Sequence, residues 1–153
     1  MPITIGGTAQ VLTPTQLTFL NHQRVARLAT ADKAGVPHIV PICYVVEGAS
    51  VYIALDAKPK RVAPLRLKRV RNIAENAEVS VLVDRYDEDW TTLGWVRLDG
   101  PAKLIVEGQE HADALRLLRQ RYVQYESMLP DDAVVIVVRV HRVASWGDLS
   151  AAL

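Results

Sequence analysis

The feature that most constrains the fold is a series of short strand-like segments, two of which are apolar at nearly every position. These two segments are 39–46 and 134–138. A strand that is apolar on both faces needs cover on both faces, even in an antiparallel sheet. One face can lie in the interior of a barrel, and the other then requires a helix or a second subunit. The pattern predicts a curved or closed sheet and gives a first indication of a homodimer.

The other segments are short strands with three helices between them. Thr13 is a suitable N-cap and Pro14 a suitable first residue for a helix that ends near Asn21. The predicted strands are 24–31, 36–46, 51–55, 78–86, 92–106 and 133–143, and the other two helices are one that ends near Asn76 and one at 108–124. Sequential strands with few helices are typical of a mainly β fold with flanking helices (α+β), a small antiparallel barrel or sandwich. With 153 residues and no repeat or linker, a single domain over 1–153 is expected.

The basic residues are concentrated in one segment, 58–71, which has seven Lys and Arg and no acid. The rest of the chain is acidic, although the overall charge is +1. Apolar residues at helical spacing after Val62 predict a helix with Lys60 and Arg61 near its N-terminus, where the helix dipole disfavours cations. A bound phosphate would remove this conflict. The segment is therefore predicted to bind an anion, and the alternative is a solvated basic helix face.

Other chemistries have little support in the sequence. The lone cysteine, Cys43, lies in an apolar run and is interpreted as a small buried hydrophobe. The four histidines are far apart and have no partners at metal-ligand spacing, so no metal is predicted. No apolar run is long enough to span a membrane, and a cytoplasmic location is expected. No nucleophile arrangement or carboxylate pair is recognisable, so catalytic residues cannot be assigned.

The order of several segments resembles the pyridoxamine 5′-phosphate oxidase-like family. The segments are VARLAT at 25–30, GVPHIVP at 35–41, VYIA at 51–54, KPKR at 58–61, KRVRNI at 68–73 and WVRLDGPA at 95–102. Within that family, the chain looks similar to the split β-barrel enzymes that depend on the deazaflavin coenzyme F420.

The resemblance implies a split β-barrel like that of FMN-binding proteins, assembled as a homodimer with cofactor sites at the interface. It implies that Lys58, Lys60 and Arg61 hold the cofactor phosphate, with Arg69, Arg71 and Asn72 as secondary candidates. The ring would lie along Arg27, Leu28, Ala29 and Thr30, with His38, Val40 and Pro41 on the next strand. From the partner chain, Trp95, Arg97 and Trp146 would close the site.

The chemistry of these residues suits a flat apolar ring with a polar edge. Aliphatic side chains at Leu28, Ala29, Val40 and Pro41 would supply walls, and Thr30 a hydrogen-bond donor. Trp95 and Arg97 lie on the same side of a strand by period-two spacing and can stack on a π system. Alternatives remain open: Trp95 in the barrel core, Arg97 in an ion pair with Asp99, and Trp146 as a cap on the core.

The function implied by the resemblance is hydride transfer from reduced F420 to an electron-poor double bond of a small molecule. The chain departs from the pyridoxamine phosphate oxidases themselves in lacking their C-terminal basic and aromatic positions, so that substrate is not expected. Two alternatives remain, an FMN-binding oxidase or reductase and a non-enzymatic flavin- or haem-binding protein. Nucleic acid is not an expected partner, because no aromatics are interleaved with the cations.

Overall fold

The computed structural model describes residues 11–55 and 64–150. In these residues an eight-stranded antiparallel sheet is flanked by four α-helices. The helices are α1 Pro14–His22, α2 Lys68–Glu75, α3 Gln109–Arg121 and α4 Tyr125–Met128. The strands are β1 Ala26–Ala31, β2 Pro37–Ile42, β3 Val45–Glu47, β4 Ser50–Ala54, β5 Glu78–Arg85, β6 Gly94–Ile105, β7 Val135–Arg139 and β8 Arg142–Gly147. Short 3-10 turns cover Pro64–Arg66 and Trp90–Thr92. The predicted fold class, mainly β with flanking helices, is confirmed.

The long strand β6 joins the two halves of the sheet. Its first part pairs with β5 on one side and β8 on the other, and its last residues, from Ala102 onward, pair with β7. The strand order is β2-β1-β5-β6-β7-β4-β3, with β8 added beside β6. Because β6 changes neighbours along its length, the sheet bends around a common interior and forms a split barrel.

The barrel interior is filled by one side of each strand. Leu28 of β1, Val81 of β5 and Leu98 of β6 are fully buried there. The helix α1 closes the barrel with Phe19 and Leu20, also fully buried. Thr13 caps this helix as predicted, since its hydroxyl accepts from the Gln16 amide and the Gln16 side chain accepts from the Thr13 amide.

The apolar strand predicted over 133–143 is two strands, with a turn at Val140 and His141 between β7 and β8. In β7, Ile136 and Val138 face the barrel, whereas Val135 and Val137 pack under α3 and α4. The second face of this strand is thus covered by helices of the same chain. The helix alternative therefore holds for this segment, which gives no support for a second subunit.

The apolar segment 39–46, unlike 134–138, has one face that is not covered by a helix of the described chain. It is divided between β2, which ends at Ile42, and β3, which begins at Val45. Val40 packs against the barrel core, but Ile39 on the opposite face is 64% exposed. Within the described residues nothing covers this outer face of β2.

The helix in the basic segment begins later than the apolar spacing predicted. The first residue of α2 is Lys68, and a 3-10 turn at Pro64–Arg66 precedes it. The predicted position of Lys60 and Arg61 near a helix N-terminus stays a prediction. Both residues, with Lys58, lie outside the described residues.

The position of Gly100 in β6 provides a test of the barrel geometry. A Cβ atom there would overlap the carbonyl oxygen of Arg139, where the chain leaves β7. Gly100→Ala should lower the free energy of unfolding by about 2 kcal/mol or more, because backbone must shift to relieve the overlap. Gly94→Ala is the control, since its nearest contact is the end of the Leu149 side chain at 3.0 Å. If urea denaturation shows equal losses of unfolding free energy in the two variants, this account of Gly100 is contradicted.

Candidate functional site

An uncovered surface with two cavities lies on the outer face of β1, β2, β5, β6 and β8, and is called the outer trough here. Register places Ala29 opposite Ile39 on one side and Ser80 on the other. Leu82 is likewise opposite Arg97. Directly opposed residues of antiparallel strands project to the same face, so these side chains form one surface.

Two adjoining cavities make up the outer trough. The smaller, of about 480 Å³, is lined by Arg27, Ala29, Ile39, Ser80, Leu82, Asp84, Trp95 and Arg97. The larger, of about 590 Å³, is bordered by Ala29, Thr30, Ala31, Pro37, Glu78, Val79, Ser80, Arg97, Asp99, His141 and Arg142. Ala29, Ser80 and Arg97 belong to both cavities.

The cations of the outer trough are paired with acids. Arg27 Nη1 lies 2.8 Å from Asp84 Oδ1, and Arg97 Nε lies 3.1 Å from Asp99 Oδ1. Asp99 is also 3.5 Å from Arg142. The charges therefore nearly balance, which suits an uncharged ring with a polar edge better than a phosphate group.

The two tryptophans predicted to close the site are neighbours. Trp95 of β6 and Trp146 of β8 are directly opposed Cα partners. Trp95 lines the smaller cavity, while the flanking Val96 is fully buried in the barrel. The alternative that Trp95 belongs to the core is therefore wrong. Trp146 is 56% exposed, which excludes a role as a cap on the core of this chain.

Four of the predicted ring contacts are divided between two faces of the sheet. Leu28 is fully buried, and Val40, its partner in register, packs on the same core. Their assignment as walls of the site is wrong, because side chains of successive strand residues point to opposite faces. Ala29 and Pro41 do lie on the outer face, as does Arg27.

Thr30, His38 and Asn72 form a polar group inside the barrel end. Asn72 of α2 is fully buried, and its Nδ2 donates to Thr30 Oγ1 at 3.0 Å. His38 is opposite Thr30 in register. The Thr30 hydroxyl accepts this hydrogen bond and thus fastens α2 to β1. Thr30 also borders the larger cavity, and its role as a donor to a ring stays a prediction. Asn72 is enclosed rather than presented to a ligand at the surface.

The described cations of the basic segment lie mainly at the surface of the barrel end that α2 covers. Arg66, Lys68 and Arg71 are exposed, and Arg69 is partly buried. Lys68 approaches Asp32 in the β1–β2 turn at 3.8 Å. The pKa of Asp32 is lowered, first because the Val36 amide donates to it. The structure does not bring the described cations into the outer trough.

Several trough residues were missed by reasoning from the sequence. Ser80, Leu82 and Asp84 line the cavities but belong to no recognisable motif, and Ile39 lies within the segment GVPHIVP but was not assigned to the site. Their period-two alternation with buried residues in β5 and β2 was the available signal. Only the strand order, which sets β5 between β1 and β6, shows that they share a surface.

Among the described residues, no group of three or more His, Cys, Asp or Glu side chains could hold a metal ion. In 11–55 and 64–150, no helix has the length and apolar character to cross a bilayer.

Comparison with known proteins identifies the family. The pyridoxamine 5′-phosphate oxidase family profile matches residues 12–147, nearly the whole chain. The chain therefore belongs to this family of split-barrel proteins. No curated protein sequence matches it.

Solved structures of the same fold come from several bacteria. The conserved hypothetical protein Rv2991 of Mycobacterium tuberculosis is 19% identical with a TM-score of 0.71, covering 94% of this chain and 90% of its own. The heme-binding protein of Mycobacterium smegmatis is 22% identical with a TM-score of 0.71, covering 92% of this chain and 57% of its own. HutZ, the heme storage protein of Vibrio cholerae, is 13% identical with a TM-score of 0.64, covering 85% of this chain and 89% of its own. At these identities the likeness shows the fold alone.

Proposed function

We propose that this protein is an oxidoreductase that uses coenzyme F420 for hydride transfer to an electron-poor double bond of a small molecule. The observation that supports this proposal most directly is the outer trough. It is an apolar surface with a few hydrogen-bonding groups, and the family to which the chain belongs is named for an oxidase. Flat cofactor rings bind to surfaces of this kind.

The trough residues fit such a ring. Ala29, Ile39 and Leu82 form an apolar floor, and the small side chain of Ala29 leaves room above β1. Ile39 is exposed, and a bound ring would remove it from water. Arg97 borders the same floor and can donate hydrogen bonds to a polar ring edge.

When bound, the reduced deazaflavin would supply a hydride. The chain's own contribution is then binding, orientation and exclusion of water. Ile39 and Leu82 would exclude water from one ring face, Trp95 would limit movement along the trough, and Arg97 would set the position of the polar edge. No side chain in the described residues is assigned as a proton donor.

The basic segment would hold the anionic part of the cofactor. F420 carries a phosphodiester and an acidic tail, whereas FMN carries one terminal phosphate. Lys58, Lys60 and Arg61 would bind the phosphate in either case. The exposed Arg66, Lys68 and Arg71 extend the cationic surface and favour the longer anion of F420.

Two alternatives belong to the same scaffold. FMN is the first, because its ring would use the same apolar floor. Haem is the second, and a specific observation favours it: His141, a residue type that ligates haem iron, borders the larger cavity beside Arg97 and Arg142. Two of the similar structures are heme-binding or heme storage proteins.

Parallel titration of the purified protein with F420, FMN and haem tests the proposal. We expect F420 to bind more tightly than FMN, with an affinity that falls as salt rises, because exposed phosphate–cation contacts are screened over about 8 Å at physiological ionic strength. Fluorescence of the ring reports the binding of F420 and FMN, and the Soret absorption band reports the binding of haem. Tighter binding of FMN or haem would overturn the F420 assignment in favour of that ligand.

Lys60 is the phosphate contact that we expect to contribute most. Lys60→Ala should weaken cofactor binding about tenfold or more, because it removes a charge-assisted hydrogen bond. The melting temperature without cofactor should not change. Lys103→Ala, which removes an exposed lysine of β6, is the matched control. An unchanged affinity together with a lower melting temperature in Lys60→Ala would assign this lysine a structural role instead.

We also propose that the protein is a homodimer with cofactor sites at its interface. The uncovered outer trough supports this, with Ile39 and Trp146 exposed on the same face of the sheet. A second copy packed there would enclose the ring and bring Trp146 to a site of its partner. Light scattering at micromolar concentration should give twice the mass of the chain. The Ile39→Asp variant should have the mass of a single chain. A monomeric wild type would refute the dimer.

A further inference from the structure

Arg97 stands at the boundary between the two cavities of the outer trough. Its Nε donates to Asp99 Oδ1 at 3.1 Å and to Asp99 Oδ2 at 3.2 Å. In the described part of the chain, Nε makes all the hydrogen bonds of this side chain. Both terminal amino groups therefore remain for a ligand, on the border that the cavities share.

Asp99 is held from three strands at once. Its side chain is only 15% exposed, and Ser80 Oγ of β5 donates to its Oδ1 at 2.7 Å. Arg142 of β8 approaches its Oδ2 at 3.5 Å. An isolated surface ion pair contributes little and leaves a long side chain mobile. A carboxylate fixed by several groups instead restricts the arginine to one orientation before a ligand arrives.

The two cavities differ in character. The smaller has the apolar floor and Trp95, whereas the larger is bordered by Glu78, His141 and Arg142. The smaller cavity is the better match for a flat ring. The larger is suited to a polar molecule with oxygen atoms that accept hydrogen bonds.

We infer that Asp99 and Ser80 are positioning residues that hold the Arg97 guanidinium between the cofactor ring in the smaller cavity and an oxygen-bearing acceptor in the larger one. This inference rests on the proposed function and adds to it the residues that orient the ring edge. Arg97 contacts the ligands, and Asp99 and Ser80 act through Arg97.

A double-mutant cycle on cofactor affinity tests the inference. Arg97→Gln should weaken binding of the cofactor about tenfold, and Asp99→Asn at least about threefold, since each loses the oriented guanidinium. In the Arg97→Gln background, Asp99→Asn should add less than about twofold, because the residue through which it acts is already gone. Ser80→Ala should weaken binding, and Ser80→Thr, which keeps the hydroxyl, should restore it.

Asp113→Asn is the matched control, as Asp113 pairs with Arg116 at 3.7 Å on α3, away from the trough. It should leave affinity unchanged, and melting temperatures of all variants would separate lost folding from lost binding. Additive effects in the cycle, or tighter binding by Asp99→Asn, would overturn the positioning role while leaving the proposed function intact. If the wild type binds neither F420 nor FMN, the proposed function is overturned and this inference with it.

Discussion

The structure depends on the pairing of β6 with three other strands. Its first half is hydrogen-bonded to β5 and β8, and its last residues to β7, so one strand belongs to both halves of the sheet. The close approach of Arg139 to Gly100 leaves no room for a side chain at this point. The bend that results encloses the barrel core on one side of β6. On the other side it leaves Trp95, Arg97 and Asp99 in a row on the outer face.

The outer trough exists because two apolar surfaces of the sheet are covered differently. The outer face of β7 lies under α3 and α4, where Val135 and Val137 are completely buried. The helix α2 instead packs over the end of the barrel at β1 and is fastened through Asn72 and Thr30. No helix of the described chain crosses the outer face of β1 and β2. This face therefore remains open to a ring, to a second copy, or to both.

The outer trough and the segment 58–71 differ in their balance of charge. In the trough, each arginine has a nearby carboxylate, so the local field is weak and the guanidinium groups are oriented. In the segment 58–71, seven cations occur without an acid. A cofactor with a flat ring and an anionic tail needs both environments, one for each part. This contrast is the reason for proposing that the trough binds the ring and that the basic segment binds the anionic tail.

The sequence by itself determined the strand-rich fold class, the capped first helix and the family, because these depend on local periodicity, capping chemistry and ordered short motifs. It also identified Ala29, Trp95 and Arg97 as candidate site residues. It did not show that Leu28 and Val40 point inward, since consecutive residues were assigned to one surface although their side chains alternate. Tertiary structure alone decided that α3 and α4 cover β7, and that Ser80, Leu82 and Ile39 join the trough. The reason is physical: a period-two pattern marks which residues share a face, but strand order and helix placement arise from contacts between segments distant in the chain.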